Sequence, residues 1–181
     1  RKAVVQKWKP HTKGKTMIKI GNVIYAKHAG NFVPDGVPDG FSGRVILSYG
    51  YRAWYQNGKV HRENDPAVIY TDGRKYWYRN GEMHRDDGPA VIYPNGGKHW
   101  YKNDQRHRKD GPAAIYPDGE KRWFQYGEKH RDDGPAVIRA DGLKKWYKNG
   151  ELHRDDGPAE IYPNGTRRWY KNGEFIRRER P

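Results

Sequence analysis

Five histidines come nearest to chemistry in this sequence. His61, His84, His107, His130 and His153 are each followed at once by arginine and, within four residues, by a carboxylate: Asp65, Asp87, Asp110, Asp133 and Asp156. An imidazole beside a carboxylate can serve as a general base or a metal ligand. The spacing argues against both. The sets recur every 23 residues, which on a two-stranded repeat places equivalent imidazoles about 10 Å apart. That is too far to share an ion with bonds near 2 Å. The expected role is structural. Aspartate oxygens accept backbone, His or Arg hydrogen bonds, Gly88 permits a turn, Pro89 stiffens entry to the next strand, and His–Asp or Arg–Asp bonds staple repeat to repeat.

The tryptophans keep the same beat: Trp54, Trp77, Trp100, Trp123, Trp146 and Trp169. Strand parity puts Trp77 on one face with Lys75 and Arg79, and Trp146 with Lys144 and Lys148. Two readings follow. Basic side chains lie over the indoles and build the sheet, by cation–π attraction and stem packing. Alternatively the row is a stacking platform with a basic rail for single-stranded nucleic acid. No phosphate-binding loop, Gly-x-Ser-x-Gly, His-Glu-x-x-His or cysteine is present, and serine occurs only at Ser42 and Ser48. The expectation is a protein that is not an enzyme, with no catalytic residue, metal, cofactor or small-molecule substrate. A private function would sit where repeats differ, at Asp104-Gln105, Gln125-Tyr126, Arg139-Ala140 or the N-terminal arm.

These residues are positioned by a repeat. From Trp54 the chain reads W-Y-x-N-G-x-x-H-R-x-D-G-P-A, and a fixed period of this length marks a repeat architecture. Ala67–Tyr70 reads as one strand, Thr71-Asp72-Gly73 as a turn, Arg74–Arg79 as a second strand ended by Asn80-Gly81, and Glu82–Ala90 as a connector. Ala67 and Ile69 recur unchanged and are expected on the packed face; the Val68 row, where Glu160 also stands, is expected to be partly wet. The predicted fold is all-β: an elongated, twisted single-sheet array of tandem β-hairpin repeats, on the order of 60 Å long. The divisions are a basic extended N-terminal arm (1–21), degenerate capping repeats (22–53), five regular repeats (54–168) and a C-terminal half-repeat cap (169–181).

The wording over residues 31–176 resembles MORN-type repeats, which are β-hairpin modules, in a divergent form associated with bacterial, phage and giant-virus proteins. It departs from the usual pattern in having fewer glycines and Trp-Tyr-x-Asn-Gly in place of Tyr-x-Gly. The resemblance implies scaffolding, partner binding or contact with anionic membranes, and no shared catalytic residues.

Charge points the same way. The chain carries +14, yet the five regular repeats hold 22 basic and 18 acidic residues, whereas residues 1–40 hold eight basic and two acidic. The arm contacts Arg1, Lys2, Lys7, Lys9, Lys13, Lys15 and Lys19 are candidates for an acidic partner or nucleic acid, or else a solubilising tail. The expected function is a non-enzymatic scaffold in a larger assembly, such as a phage or virus particle or a ribonucleoprotein, docked on an acidic protein partner. The alternative is direct nucleic-acid binding through the arm and the Trp/Lys face. Membrane association ranks last, because no stretch is amphipathic-helical or long and apolar enough to span a bilayer. The setting would be intracellular or virion-associated, or an organelle matrix if the N-terminus is processed; Met17 is an alternative start.

Overall fold

The computed structural model describes residues 5–8, 16–27, 37–47 and 50–181, so Arg1, Lys2, Lys9, Lys13 and Lys15 of the arm and the Phe32–Gly36 stretch of the first worn repeat lie outside it. The described residues form strands and turns and no helix, and the main sheet is an open, mostly antiparallel array of hairpins. Among them no helix is long and apolar enough to cross a membrane. The chain divides into two units, Arg1–Arg85 and Asp86–Pro181.

In the first unit Val5–Trp8 pairs antiparallel with Thr16–Ile20, and Ile20 turns back opposite Val23 into Val23–Lys27. Within the expected basic arm, residues 1–21, Val5–Trp8 thus forms a strand on the edge that Thr16–Ile20 offers. Val23–Lys27 then runs parallel to Gly43–Leu47, which the hairpin pattern does not foretell. Arg52–Gln56 follows antiparallel and pairs through Arg52 and Ala53 with Ile69 and Val68. Ile24, Phe41, Val45, Leu47, Tyr51 and Tyr55 are among the buried residues of this core.

The second unit shows what one repeat builds. Val91–Ile92 and Lys98–His99 form a hairpin of the main sheet. Its loop, Tyr93–Gly97, carries Gly96 at φ 89° and closes with Tyr93 N–H on the Gly97 carbonyl at 2.9 Å. That is a three-residue hairpin loop with a left-handed glycine, and the Asn95 side chain accepts from the Gly97 N–H at 3.2 Å. The second strand does not run straight on, as the sequence suggested. Trp100 donates its N–H to Ala113 in the next repeat (2.8 Å), while its carbonyl accepts from His107 (3.2 Å). The main sheet ends and a side hairpin begins on one residue. Tyr101–Lys102 and Gln105–Arg106 form that side hairpin, so the expected connector contains a strand and each repeat has two hairpins. The cause lies in its turn. Asn103 and Asp104 have φ 50° and 61°, and Asn149-Gly150 has 49° and 83°: two consecutive left-handed residues make the tight turn whose twist suits paired strands.

Along the second unit the main-sheet hairpins pair in order, Lys98–His99 to Ala114–Ile115, Lys121–Arg122 to Val137–Ile138, and Lys144–Lys145 to Glu160–Ile161. The last repeat ends differently. Glu174–Glu179 stays in the sheet against Arg167–Lys171 instead of bending aside. The alanine row is buried as expected (Ala67, Ala90, Ala113, Ala136, Ala159), but the next two rows differ from expectation: Val91, Ala114, Val137 and Glu160 are buried, and Ile92, Ile115, Ile138 and Ile161 are half-buried. The Val68 row is therefore the inner one, and in the second unit Phe124 of a side hairpin packs against its Ala114.

Candidate functional site

Each tryptophan of the row carries an arginine cap from its own repeat. The guanidinium carbons of Arg62, Arg85, Arg108, Arg131 and Arg154 lie 4.1–4.2 Å from the ring centres of Trp54, Trp77, Trp100, Trp123 and Trp146, and Arg177 lies 3.6 Å from Trp169. The sequence reading looked to the lysines flanking the indole on its strand; the cap comes instead from the His-Arg pair eight positions on. The repeat holds the cap from several sides. Arg154 donates to the Pro158 carbonyl at 3.5 Å and to the Asp156 carboxylate at 2.9 Å, and its backbone N–H reaches Tyr170 at 3.4 Å. Arg131 does the same with Pro135, Asp133 and Tyr147. The arginine hydrogen bonds hold the Asp133 and Asp156 carboxyls below their usual range. A Cβ added at Gly134 or Gly157 would sit 3.2 or 3.1 Å from the guanidinium carbon of Arg131 or Arg154. Neither residue has a left-handed φ, and Arg62 caps Trp54 at 4.1 Å with a side chain at this position. Asp65 stands at the equivalent place in the first unit and pairs with Arg62 at 2.7 Å.

The histidines join repeats, by bonds other than those expected. Backbone N–H groups of Asn80, Tyr126, Asn149 and Asn172 donate to Nδ1 of His61, His107, His130 and His153 at 3.1–3.2 Å. An amide N–H only donates, so Nδ1 of His107 and His153 accepts, whereas Nδ1 of His61 and His130 also lies 3.0 and 2.9 Å from Oδ1 of Asn80 and Asn149. Nε2 then donates to Glu63, Asp132 and Asp155 at 2.8, 3.0 and 3.0 Å. The partner is thus the carboxylate two residues after histidine, within the same connector. The second carboxylate, singled out from sequence, serves arginine. At His107 the first carboxylate is replaced by Lys109, and burial followed by Lys102 and Lys109 lowers this imidazole's pKa. Asp110 has no ion pair among the described residues, and Asp87 belongs to the bonded set.

The inner face of the second unit is polar where repeats differ. Buried Glu160 receives Lys145 at 2.6 Å, Tyr162 Oη at 2.9 Å and Arg168 at 3.5 Å. Burial would lower the Lys145 ammonium, but the hydrogen bond and charge of Glu160 outweigh it and raise its pKa. Glu120 receives Arg122, and Arg139 approaches at 3.7 Å. His99 sits edge-on between Tyr93 and Tyr116, with ring centres at 5.3 and 5.2 Å.

The outer face carries the opposite arrangement. Strand register sets Ile92, Lys98, Ile115, Lys121, Ile138, Lys144, Ile161 and Arg167 side by side across eight successive strands. The isoleucines are half-buried and the four cations exposed. Among the described residues none of the four has a carboxylate within 4.0 Å. This ladder was invisible to a reading along the chain, because its neighbours are six and seventeen residues apart.

Clefts of about 440 and 530 Å³ lie between successive connectors. Their lips include Asp132, Asp133, Asp155 and Asp156, committed to His or Arg, and Asp110, which has no ion pair among the described residues; no group of metal-ligating residues occurs among them either. Of the arm candidates, Lys7 lies in the Val5–Trp8 strand and Lys19 reaches the Phe41 ring at 5.7 Å. No protein family and no curated protein matches the sequence.

Proposed function

We propose that this chain is a non-enzymatic, MORN-like hairpin-repeat scaffold that docks on an acidic protein partner within a larger assembly, a phage or virus particle or a ribonucleoprotein. The observation that carries the reading is how its reactive-looking groups are spent. Imidazoles, guanidinium groups and most of the aspartates recur in bonds that brace each connector and, through histidine, fasten it to the next repeat, while the outer lysines have no carboxylate within 4.0 Å among the described residues. Six tryptophans capped by arginine weigh against the alternative of base stacking, which needs open aromatic faces. The setting that goes with the reading is intracellular or virion-associated.

The test is a titration of the full chain with fluorescent poly-glutamate and with single-stranded DNA at two salt concentrations. Binding of poly-glutamate that weakens with salt, without quenching of tryptophan, is the expected result. Preference for DNA with quenched tryptophan overturns it.

A further inference from the structure

We infer that the isoleucine–lysine ladder of the second unit docks an acidic segment of the partner in the polyproline II conformation, lying across the strands with a carboxylate at every third residue. This rests on the acidic-partner reading and adds the surface, the conformation and the period.

Cations recur on every second strand, so neighbours are about 10 Å apart at the ordinary strand spacing. A polyproline II helix has three residues per turn and rises about 3.1 Å per residue, so equivalent side chains recur about every 9.3 Å. An extended β-strand offers same-side residues about every 6.8 Å and falls out of step within two cations. The isoleucine between each pair of cations gives apolar surface for the intervening residues. Sheet twist turns the ladder, and a polyproline II segment, with no internal hydrogen bonds to break, winds with it.

The contrast between faces supports a missing counter-charge. Lys145 and Arg122, inside, each have a glutamate; outside, Lys98, Lys121 and Lys144 have none, and Arg167 has Glu179 opposite it in register but beyond ion-pair distance. A nucleic-acid duplex presents phosphates about every 3.4 Å along each strand, far denser than the ladder, and offers nothing to isoleucine. An anionic bilayer would meet a single row of four cations, with no exposed aromatic in the ladder to anchor it.

The experiment is a fluorescence-polarisation titration of the full chain with a labelled peptide of four Glu-Pro-Pro triplets, against an isomer with its glutamates in one block. The triplet peptide should bind roughly tenfold tighter than the block isomer. It should lose about tenfold on Lys98→Glu/Lys121→Glu/Lys144→Glu, and nothing on Lys102→Glu/Lys148→Glu, exposed lysines of the side hairpins. Circular dichroism checks that the triple variant is folded, and single Lys121→Glu provides a milder version. Equal binding of the two peptides, or indifference to reversal of the ladder, overturns the inference and leaves the acidic-partner reading standing if poly-glutamate still binds. Failure of every acidic probe overturns both. Binding of oligonucleotides or phosphatidylserine vesicles through these lysines, in preference to the triplet peptide, also overturns the inference.

Discussion

His130 Nδ1 accepts the backbone N–H of Asn149 at 3.2 Å, from a residue 19 positions along the chain held at φ 49°. The ring reads the left-handed turn of the next side hairpin, and Asp132 orients it from the other side at 3.0 Å. Two features that look unrelated in the sequence, His-Arg and Asn-Gly, are the two halves of one joint. His153, with the Asn172 N–H on Nδ1 and Asp155 on Nε2, should therefore appear as the Nε2–H tautomer in long-range proton–nitrogen NMR spectra. His130→Ala should cost about 1 kcal/mol, the worth of an ordinary hydrogen bond, and lower Tm by about 2–4 °C. Protonated Nδ1 in the His153 ring at neutral pH would contradict the joint.

Arg154 covers Trp146 at 4.2 Å. Arg154→Ala uncovers the indole and removes a desolvated cation–π contact, so a loss of about 1–2 kcal/mol is expected in chemical denaturation. Arg154→Lys keeps the charge and loses the planar stack and the fork of donors, and should fall between the two. If the lysine variant matched wild type, charge rather than stacking would hold the cap.

Tyr126 is a bulky residue at φ 48°, where other repeats carry asparagine, and the residue is 67 % exposed. Left-handed backbone costs a residue of this kind about 1–2 kcal/mol. Its compensation is the His107 ring, 4.7 Å between centres, a contact worth about 0.5–1.5 kcal/mol. Tyr126→Asn should thus leave Tm unchanged or raise it slightly, and a clear loss of Tm would mean that Tyr126 makes a contact worth more than the strain.

The repeat itself was legible because every unit must stack on an identical neighbour, which prints its period, its turns and its buried small residues along the chain. The bend at Trp100 was not. A second strand and a second hairpin share that residue, and continuous alternation through Lys98–Lys102 gives no sign of it. The faces were misread for a related reason. Glu160 marks the Val68 row as wet only if its partners are ignored, and Lys145 lies 15 residues earlier, Arg168 eight later. Cross-strand relations of this sort, the outer ladder included, depend on register, and register is fixed by the side hairpins.

His99 is buried between two tyrosines, and burial, then the charges of Arg106 and Arg122, push its pKa down to about 4. The folded protein keeps the ring neutral, while the unfolded chain takes up a proton near pH 6.5. Stability from this group is complete above about pH 6.5, falls as pH drops toward about 4, and levels off below. His99→Tyr, the residue at the same place in the preceding repeat (Tyr76), should remove that part of the acid sensitivity. Denaturation midpoints at pH 7 and pH 4.5 test it. An equal acid loss in both proteins would show that other groups carry the whole effect.

Glu160 is a buried carboxylate where other repeats carry Val68, Val91 or Val137, and Lys145 meets it at 2.6 Å. Glu160→Val restores the common residue yet strands the half-buried Lys145 ammonium, so it should destabilise by about 2 kcal/mol. Removing both charges, Glu160→Val with Lys145→Tyr, should recover most of the loss, because valine opposite tyrosine is the pairing that Val68 and Tyr76 already make. A double-mutant cycle by urea denaturation should give a coupling of about 1–3 kcal/mol. Additive losses would mean that Arg168 and Tyr162 satisfy Glu160 without the lysine, and that the inner polar belt is held pairwise rather than as one network.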